Sequence, residues 1–147
     1  MNYKVVTIRE AEDADIVALA ELMNELGYGT TEGEMKTRLQ NIQNHNDYQT
    51  FIAITDKQVA GMVGLSKNYS YEQNGMYVRI LALVTSNKFR QKGIGTRLME
   101  TAENWAREIG AETILLNCGN REERIVAQKF YQKIGYHIKS SGFKKKL

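Results

Sequence analysis

The chain has 147 residues, of which 42% are hydrophobic and 25% charged, and its 20 basic and 17 acidic side chains give a net charge of +3. These values are ordinary for a globular protein, so they exclude a disordered chain and predict one domain over residues 1–147. Acidic side chains are interspersed with the basic ones, which argues against a nucleic-acid partner. No apolar run approaches the roughly 20 residues of a membrane-spanning helix, so no membrane partner is expected.

The few cysteine and histidine side chains limit the chemistry further. The single cysteine, Cys118, excludes an internal disulfide, and the two histidines, His45 and His137, give no metal-ligand spacing with it. Residues 1–8 contain no secretory signal and predict a first strand instead. We therefore expect a cytoplasmic protein without a metal ion.

The first half of the chain predicts one strand, two helices and a hairpin. A strand is expected over residues 3–9, and apolar residues recurring between Ile16 and Leu26 predict a helix. Thr31 and Glu34 have the spacing of a capping box, which predicts a second, short helix behind them. Apolar runs at residues 51–55 and 58–65 flank Asp56 and Lys57, as in a hairpin.

Two glycines and a polar loop come next. Gly61 and Gly64 lie inside the second hairpin strand and indicate a bulge or a close approach of backbones. Residues 67–75 are polar and predict a loop. Residues 76–84 then return as a central strand that ends in a buried apolar run.

The turn after the central strand has the composition of an anion site. Gly93 and Gly95 precede a helix whose apolar positions recur every three or four residues up to Gly110. The first turn of a helix has unpaired N–H groups and partial positive charge, and Lys88, Arg90 and Lys92 would add full charges. The pattern alone leaves open a plain strand-to-helix turn.

The last part of the chain predicts a strand, a helix and a closing strand. Residues 111–118 form an apolar strand that should lie parallel to the central strand after a right-handed crossover. Apolar residues from Ile125 onward predict a helix that Gly135 closes. Residues 136–147 are expected to finish the sheet as a strand or hairpin.

The segment Arg90-x-x-Gly93-x-Gly95 with its flanking strand and helix resembles the acetyl-CoA-binding motif of the GCN5-related N-acetyltransferases (GNAT). The resemblance implies the acyl-CoA N-acyltransferase fold, an α/β fold with a mixed sheet of six to seven strands and about four helices. It implies that backbone amides of the motif wrap the pyrophosphate and that the preceding strand pairs with the pantetheine arm. The implied cofactor-binding residues are Leu83, Val84, Thr85, Arg90, Gln91, Lys92, Gly93, Ile94, Gly95, Thr96, Asn117, Arg124 and Phe130.

A second motif, Ala127-x-x-Phe130-Tyr131-x-x-x-Gly135-Tyr136, resembles the family's C-terminal helix. The resemblance implies that the Tyr131 hydroxyl faces the CoA sulfur, where a phenol can protonate the departing thiolate. The competing interpretation is that the Phe130 and Tyr131 rings only pack the helix. Arg124, residues 116–121 and residues 143–144 also resemble the aminoglycoside acetyltransferase subgroup, whereas Gln128 stands where that subgroup often has histidine.

The sequence defines the residues that would bind the acceptor less clearly than those that would bind the donor. Many relatives place a glutamate where this chain has Arg79, and because arginine cannot accept a proton, no general base is assigned. Arg79 is expected either to bind an acceptor carboxylate or to pair with a nearby acid. The acceptor pocket is expected between the first two helices, the loop at residues 67–75 and the start of the central strand. The tyrosines expected to contact the acceptor amine through their rings and hydroxyls are Tyr28, Tyr69, Tyr71 and Tyr77.

The resulting expectation is an N-acetyltransferase that moves acetyl from acetyl-CoA to a primary amine of a small molecule by direct attack in a ternary complex. A backbone N–H near Leu83 would polarise the thioester carbonyl. The alternatives are an acyl-CoA sensor without turnover and a protein or peptide N-acetyltransferase. The sequence leaves the oligomeric state open, and a homodimer is one state that it allows.

Overall fold

The computed structural model describes residues 5–90, 92–118, 125–139 and 142–147. The chain divides into two compact units, Met1–Leu115 and Leu116–Leu147. Five strands form one mixed sheet in the order β1-β2-β3-β4-β5, and β1 to β4 pair as antiparallel neighbours. The elements in chain order are β1 Thr7–Glu10, α1 Ile16–Leu26, α2 Glu32–Gln43, β2 Tyr48–Thr55, β3 Gln58–Tyr69, β4 Met76–Thr85, α3 Ile94–Glu108, β5 Ala111–Leu116 and α4 Ile125–Lys133.

The mixed α/β architecture and the four helices confirm the expected fold, but the strand count was too high. The described residues form five strands, not six or seven. The expected final strand is wrong for residues 136–139 and 142–147, which have no strand conformation. A strand needs a ladder partner and an apolar face, and Lys144, Lys145 and Lys146 provide no alternating apolar side chains.

The hairpin between β2 and β3 forms where the sequence predicted it. Asp56 and Lys57 have φ angles of 54° and 60°, which match a two-residue turn that favours the twist of the flanking strands. β3 continues to Tyr69, so the predicted loop at residues 67–75 shortens to residues 70–75.

The start of α2 is held by the predicted capping box. The Thr31 hydroxyl accepts from the backbone N–H of Glu34 at 3.1 Å, and the Glu34 carboxylate accepts from the backbone N–H of Thr31 at 3.0 Å. The loop before it is also fixed, because the Asn24 side chain accepts from the backbone N–H of Thr30 at 2.8 Å. These bonds position the two helices that cover one face of the sheet.

An ion pair between the buried Asp15 and the partly exposed Arg9 joins β1 to the segment before α1. The Arg9 guanidinium donates to both Asp15 carboxylate oxygens at 2.8 and 2.9 Å, and the Glu12 backbone N–H donates to the same carboxylate at 2.7 Å. Burial raises the pKa of Asp15, but the Arg9 hydrogen bond, the Glu12 amide and the Arg9 charge outweigh it and hold this pKa below its usual value.

The sheet packs between helices on its two faces. On one face, Ile52, Met62 and Val84 pack with buried residues of α1 and α2, including Leu19 and Leu39. On the other face, β3 packs tightly against both β4 and α3, because a Cβ added at Gly61 would lie 2.7 Å from the carbonyl oxygen of Val84 in β4. It would also lie 3.1 and 3.2 Å from side chains of α3. The close approach predicted from the glycines is therefore confirmed at Gly61.

A β-bulge interrupts β4 opposite Gly64. Gly64 pairs with Ala82 whereas Leu65 pairs with Ile80, so Leu81 is an extra residue without an opposite residue on β3. The bulge reverses the alternation of the strand: Ile80 faces the α3 side, and Ala82 faces the α1 and α2 side. Because helices cover both faces of the sheet, this strand is apolar continuously rather than at every second residue.

Candidate functional site

The turn between β4 and α3 begins immediately after the last ladder pair of β4. The backbone N–H of Ser86 donates to the carbonyl of Ala60 at 2.8 Å, and a short 3-10 helix follows at Asn87–Phe89. Asn87 is held from the α1 side, because its backbone N–H donates to the Glu25 carboxylate at 3.0 Å. The turn is thus fixed to β3 and to α1 before it reaches the glycines.

The α3 helix begins at Ile94, next to the left-handed Gly93 with a φ of 77°, as the sequence predicted. The first intrahelical bond joins the Arg97 N–H to the Gly93 carbonyl at 3.0 Å. The N–H groups of Ile94, Gly95 and Thr96 therefore lie ahead of that bond and point out of the helix end. Gly93 supplies no capping side chain and the first turn contains no acid.

The space around this helix end is open and positively charged. A Cβ built on Gly93 would meet no atom within 4 Å. Lys88, Arg90 and Lys92 are exposed, and the Lys92 ammonium lies 5.7 Å from the centre of the buried Phe89 ring, which anchors its stem. Backbone donors, the helix dipole and three cations together suit a ligand with several anionic oxygens. Gln91, another predicted member of this site, lies outside the described residues.

The predicted pantetheine-pairing segment forms the end of β4. Leu83, Val84 and Thr85 pair with β3 along one side of the strand. The neighbour of β4 on its other side is β5. The pairing of this segment with a ligand remains a prediction.

An apolar cavity of about 150 Å³ lies on the α1 and α2 face of the sheet. Among the described residues that line it, only Arg38 is charged and none is acidic. Leu81, the extra residue of the bulge, is one of them and is 50% exposed. The others come from both helices and from three strands: Leu19, Met23, Met35, Leu39, Ile42, Tyr48, Gln49, Thr50, Met62, Gly64, Leu65 and Ala82.

The structure brings only part of the predicted acceptor set to this face. Arg79 pairs with Ser66 and Tyr77 pairs with Asn68, so both lie on the same face of the sheet as Ala82. Tyr69 pairs with Met76 on the opposite face and is 74% exposed. Tyr28 is 60% exposed in the loop between α1 and α2 and does not line the cavity. Tyr28 and Tyr69 are therefore not brought together with the other two.

An apolar cavity lies beside the two helices where the acceptor pocket was expected. Both α1 and α2 line the cavity, whereas residues 70–75 do not, and that it receives the acceptor stays a prediction. Met23, Met35 and Arg38 were not expected there from the sequence, because two apolar helix residues and a surface arginine have no local pattern that distinguishes them from ordinary packing. Leu81 was not expected there either, because its exposure depends on the register of β4 against β3.

No base or acidic partner is found where many relatives have glutamate. Among the residues that the structure describes, none forms an ion pair with Arg79 within 4.0 Å. Both predicted roles of Arg79 stay predictions.

The second unit contains the predicted Tyr131 motif. The Tyr131 ring contacts the rings of Phe130 and Tyr136 edge-on, at centroid distances of 5.4 and 6.3 Å. Gly135 closes α4 with a φ of 101°, and the Tyr136 N–H donates to the Tyr131 carbonyl at 3.0 Å. The predicted helix and its glycine end are confirmed. Asn117 is exposed after β5, and Arg124 lies outside the described residues.

Comparison with protein families gives a match over residues 16–136 to the acetyltransferase (GNAT) family. The chain belongs to this family. An uncharacterized N-acetyltransferase of Bacillus subtilis (strain 168), YhdJ, is 30% identical to this GNAT chain over 128 residues, which are 84% of this chain and 86% of YhdJ.

Solved structures resemble this GNAT protein over nearly its whole length. A GNAT family acetyltransferase of Staphylococcus aureus subsp. aureus USA300_TCH1516 is 35% identical, with a TM-score of 0.82 over 97% of this chain and 98% of that one. The aminoglycoside N-acetyltransferase AAC(6')-Iy, solved in complex with CoA, is 20% identical with a TM-score of 0.84 over 99% and 97% of the two chains. At that identity the second likeness shows the fold alone.

The described residues of this GNAT chain contain no group of three or more metal-ligating side chains. None of the helices within the described ranges is long and apolar enough to cross a membrane.

Proposed function

We propose that this chain transfers the acetyl group of acetyl-CoA to a primary amine of a small molecule, by direct attack within a ternary complex. The observation that carries the proposal is the open, cationic N-terminus of α3, which directly follows β4. Its amides and cations suit a pyrophosphate. Membership of the GNAT family and the CoA complex of AAC(6')-Iy support the same assignment.

The donor would be held mainly by backbone groups. The N–H groups of Ile94, Gly95 and Thr96 would bind phosphate oxygens, while Arg90 and Lys92 would add charge. The segment from Leu83 to Thr85 would align the pantetheine arm by strand-like pairing. By resemblance, Gln91, Asn117, Arg124 and Phe130 complete the donor site.

Acetyl-CoA supplies a thioester carbon that is already activated toward an amine. The bulge at Leu81 interrupts the β3–β4 ladder, which frees backbone groups of β4 from pairing at that point. We assign polarisation of the thioester carbonyl to a backbone N–H at this bulge, two residues earlier than the expected position near Leu83. A fixed backbone donor costs no reorganisation during the reaction.

The acceptor would enter through the apolar cavity beside the bulge. As the amine nitrogen forms its bond to the acetyl carbon, the C–S bond breaks and its electron pair goes to sulfur. The described residues that line the cavity include no carboxylate, and we assign the amine proton to solvent water. By resemblance, the Tyr131 phenol would donate its proton to the departing thiolate and regain one from solvent water.

A steady-state assay of free CoA thiol tests this proposal. Acetyl-CoA and a panel of primary amines are varied together, and the expected result is amine-dependent thiol release with intersecting double-reciprocal lines. Parallel lines, or an acetylated Cys118 detected by intact-mass measurement, would indicate a covalent route instead. Acetyl-CoA binding without thiol release from any amine would favour the sensor alternative.

A further inference from the structure

The cavity beside the β4 bulge has a composition that is informative about the acceptor. Its walls are mainly aliphatic side chains and methionines, and Leu81 leaves apolar surface exposed inside it. A cavity of about 150 Å³ with aliphatic walls accepts a benzene-sized guest. The side chain of leucine, methionine or phenylalanine has about that size.

Among the described residues that line the cavity, the one charged side chain is basic. Arg38 is the only charged residue in the lining, and Arg79 lies on the same face of the sheet. A polycationic acceptor such as an aminoglycoside would need carboxylates, and the lining provides none. A compact anionic group fits this charge instead.

Neighbouring side chains orient the Arg38 guanidinium but use only some of its N–H donors. One Nη donates to the Thr30 hydroxyl at 3.1 Å, and the other lies 3.8 Å from the Glu34 carboxylate, which is too long for a strong hydrogen bond. Because a guanidinium has five N–H donors in a planar fork, several remain for a ligand carboxylate. The bond to Thr30 orients the group, since Thr30 is itself buried.

We infer that the acceptor is an amine that carries both a compact apolar group, which fills this cavity, and a carboxylate, which Arg38 binds. This inference rests on the proposed function and narrows its substrate class. An α-amino acid with an apolar side chain, or an amine of the same design, meets both requirements.

In the thiol-release assay, four amines distinguish the contribution of the apolar group from that of the carboxylate. Leucine has both groups, isoamylamine lacks only the carboxylate, glycine lacks only the apolar group, and spermidine is a polycation. We expect kcat/KM for leucine to exceed that for isoamylamine and that for glycine by roughly 10- to 100-fold each. Spermidine should be the poorest of the four.

Two substitutions test the two recognition elements. Arg38→Gln should remove the preference for leucine over isoamylamine, Arg38→Lys should restore part of it, and Lys36→Gln, an equal charge loss elsewhere on α2, should leave it unchanged. Gly64→Val places a branched side chain in the cavity, where an added Cβ would meet only the Met62 methyl at 3.6 Å. It should lower kcat/KM for leucine about tenfold or more while changing that for glycine little.

Melting temperatures of all variants confirm that they are folded, and Gly64→Ala replaces Gly64→Val if the latter is not. Equal rates with leucine and isoamylamine, or a preference for spermidine, would overturn the inference while leaving acetyl transfer intact. Thiol release from none of the four amines, together with no binding of acetyl-CoA, would instead overturn the proposed function.

Discussion

Replacing Gly61 with alanine perturbs the contact that seats the start of α3 on the sheet. The new Cβ would lie 2.7 Å from the carbonyl oxygen of Val84, 3.1 Å from the Leu98 side chain and 3.2 Å from the Ile94 side chain. The first of these is a backbone atom that cannot turn away. β4 and the start of α3 must therefore each move away from Gly61 by several tenths of an ångström.

The expected cost follows from overpacking and backbone entropy. Forcing an extra methyl group into a close-packed region costs about 1–3 kcal/mol, and a backbone contact this short belongs at the upper end. The lower entropy of unfolded alanine returns about 0.4–1 kcal/mol. We expect a net loss of about 2 kcal/mol, which corresponds to a melting temperature lower by about 4–8 °C for a chain of this size.

Gly64→Ala is the matched control on the same strand. Its Cβ would make one ordinary contact of 3.6 Å with the flexible end of Met62, so we expect a change within about 0.5 kcal/mol of the parent. Thermal unfolding of both variants measures the difference, and calorimetry with CoA shows whether the shifted α3 end binds less tightly. Equal melting temperatures for the two variants would refute the claim that Gly61 sets this packing.

Three more predictions concern the ion pair, the proposed acid and the α2 cap. Asp15→Asn should cost about 2 kcal/mol at neutral pH, because it removes the charge that accepts two hydrogen bonds from the partly exposed Arg9. The folded pKa of Asp15 is lowered, so the stability that its carboxylate adds is complete above the ordinary carboxyl pKa of about 3.9. That stability is lost as pH falls through the lower folded pKa. The denaturant midpoints of parent and variant should therefore converge in acid. Tyr131→Phe should lower kcat while leaving the Kd for acetyl-CoA nearly unchanged, and an unchanged kcat would remove Tyr131 from the mechanism. Thr31→Ala should cost about 1 kcal/mol in thermal unfolding by removing the side-chain acceptor for the Glu34 amide.

Local signals in the sequence were sufficient for much of the fold. The apolar recurrence from Ile16 to Leu26 gave α1 with its observed bounds, and Thr31 with Glu34 identified the start of α2. The Asp56-Lys57 turn and the Gly93 helix start were likewise found from residues adjacent in the chain. Each depends on hydrogen bonds within a few residues, which the sequence displays directly.

Features that depend on pairing between distant segments were missed. The bulge at Leu81 exists only because β4 shifts its register against Gly64 and Leu65. Tyr69 on β3 and Tyr77 on β4 lie on opposite faces of the sheet, so the tyrosine cluster expected at the acceptor pocket divides between two faces. The closing strand was predicted from its position after α4, although its lysine-rich sequence provides no apolar face to bury.

Calorimetric titration with CoA and with pantetheine, which lacks the phosphates, tests the central claim that the α3 N-terminus binds a pyrophosphate. CoA should bind much more tightly than pantetheine, and the double variant Arg90→Gln/Lys92→Gln should weaken CoA binding by about tenfold or more. Arg107→Gln, at the other end of α3, is the control and should bind CoA like the parent. Equal affinities for CoA and pantetheine, or an unchanged CoA affinity in the double variant, would contradict the account.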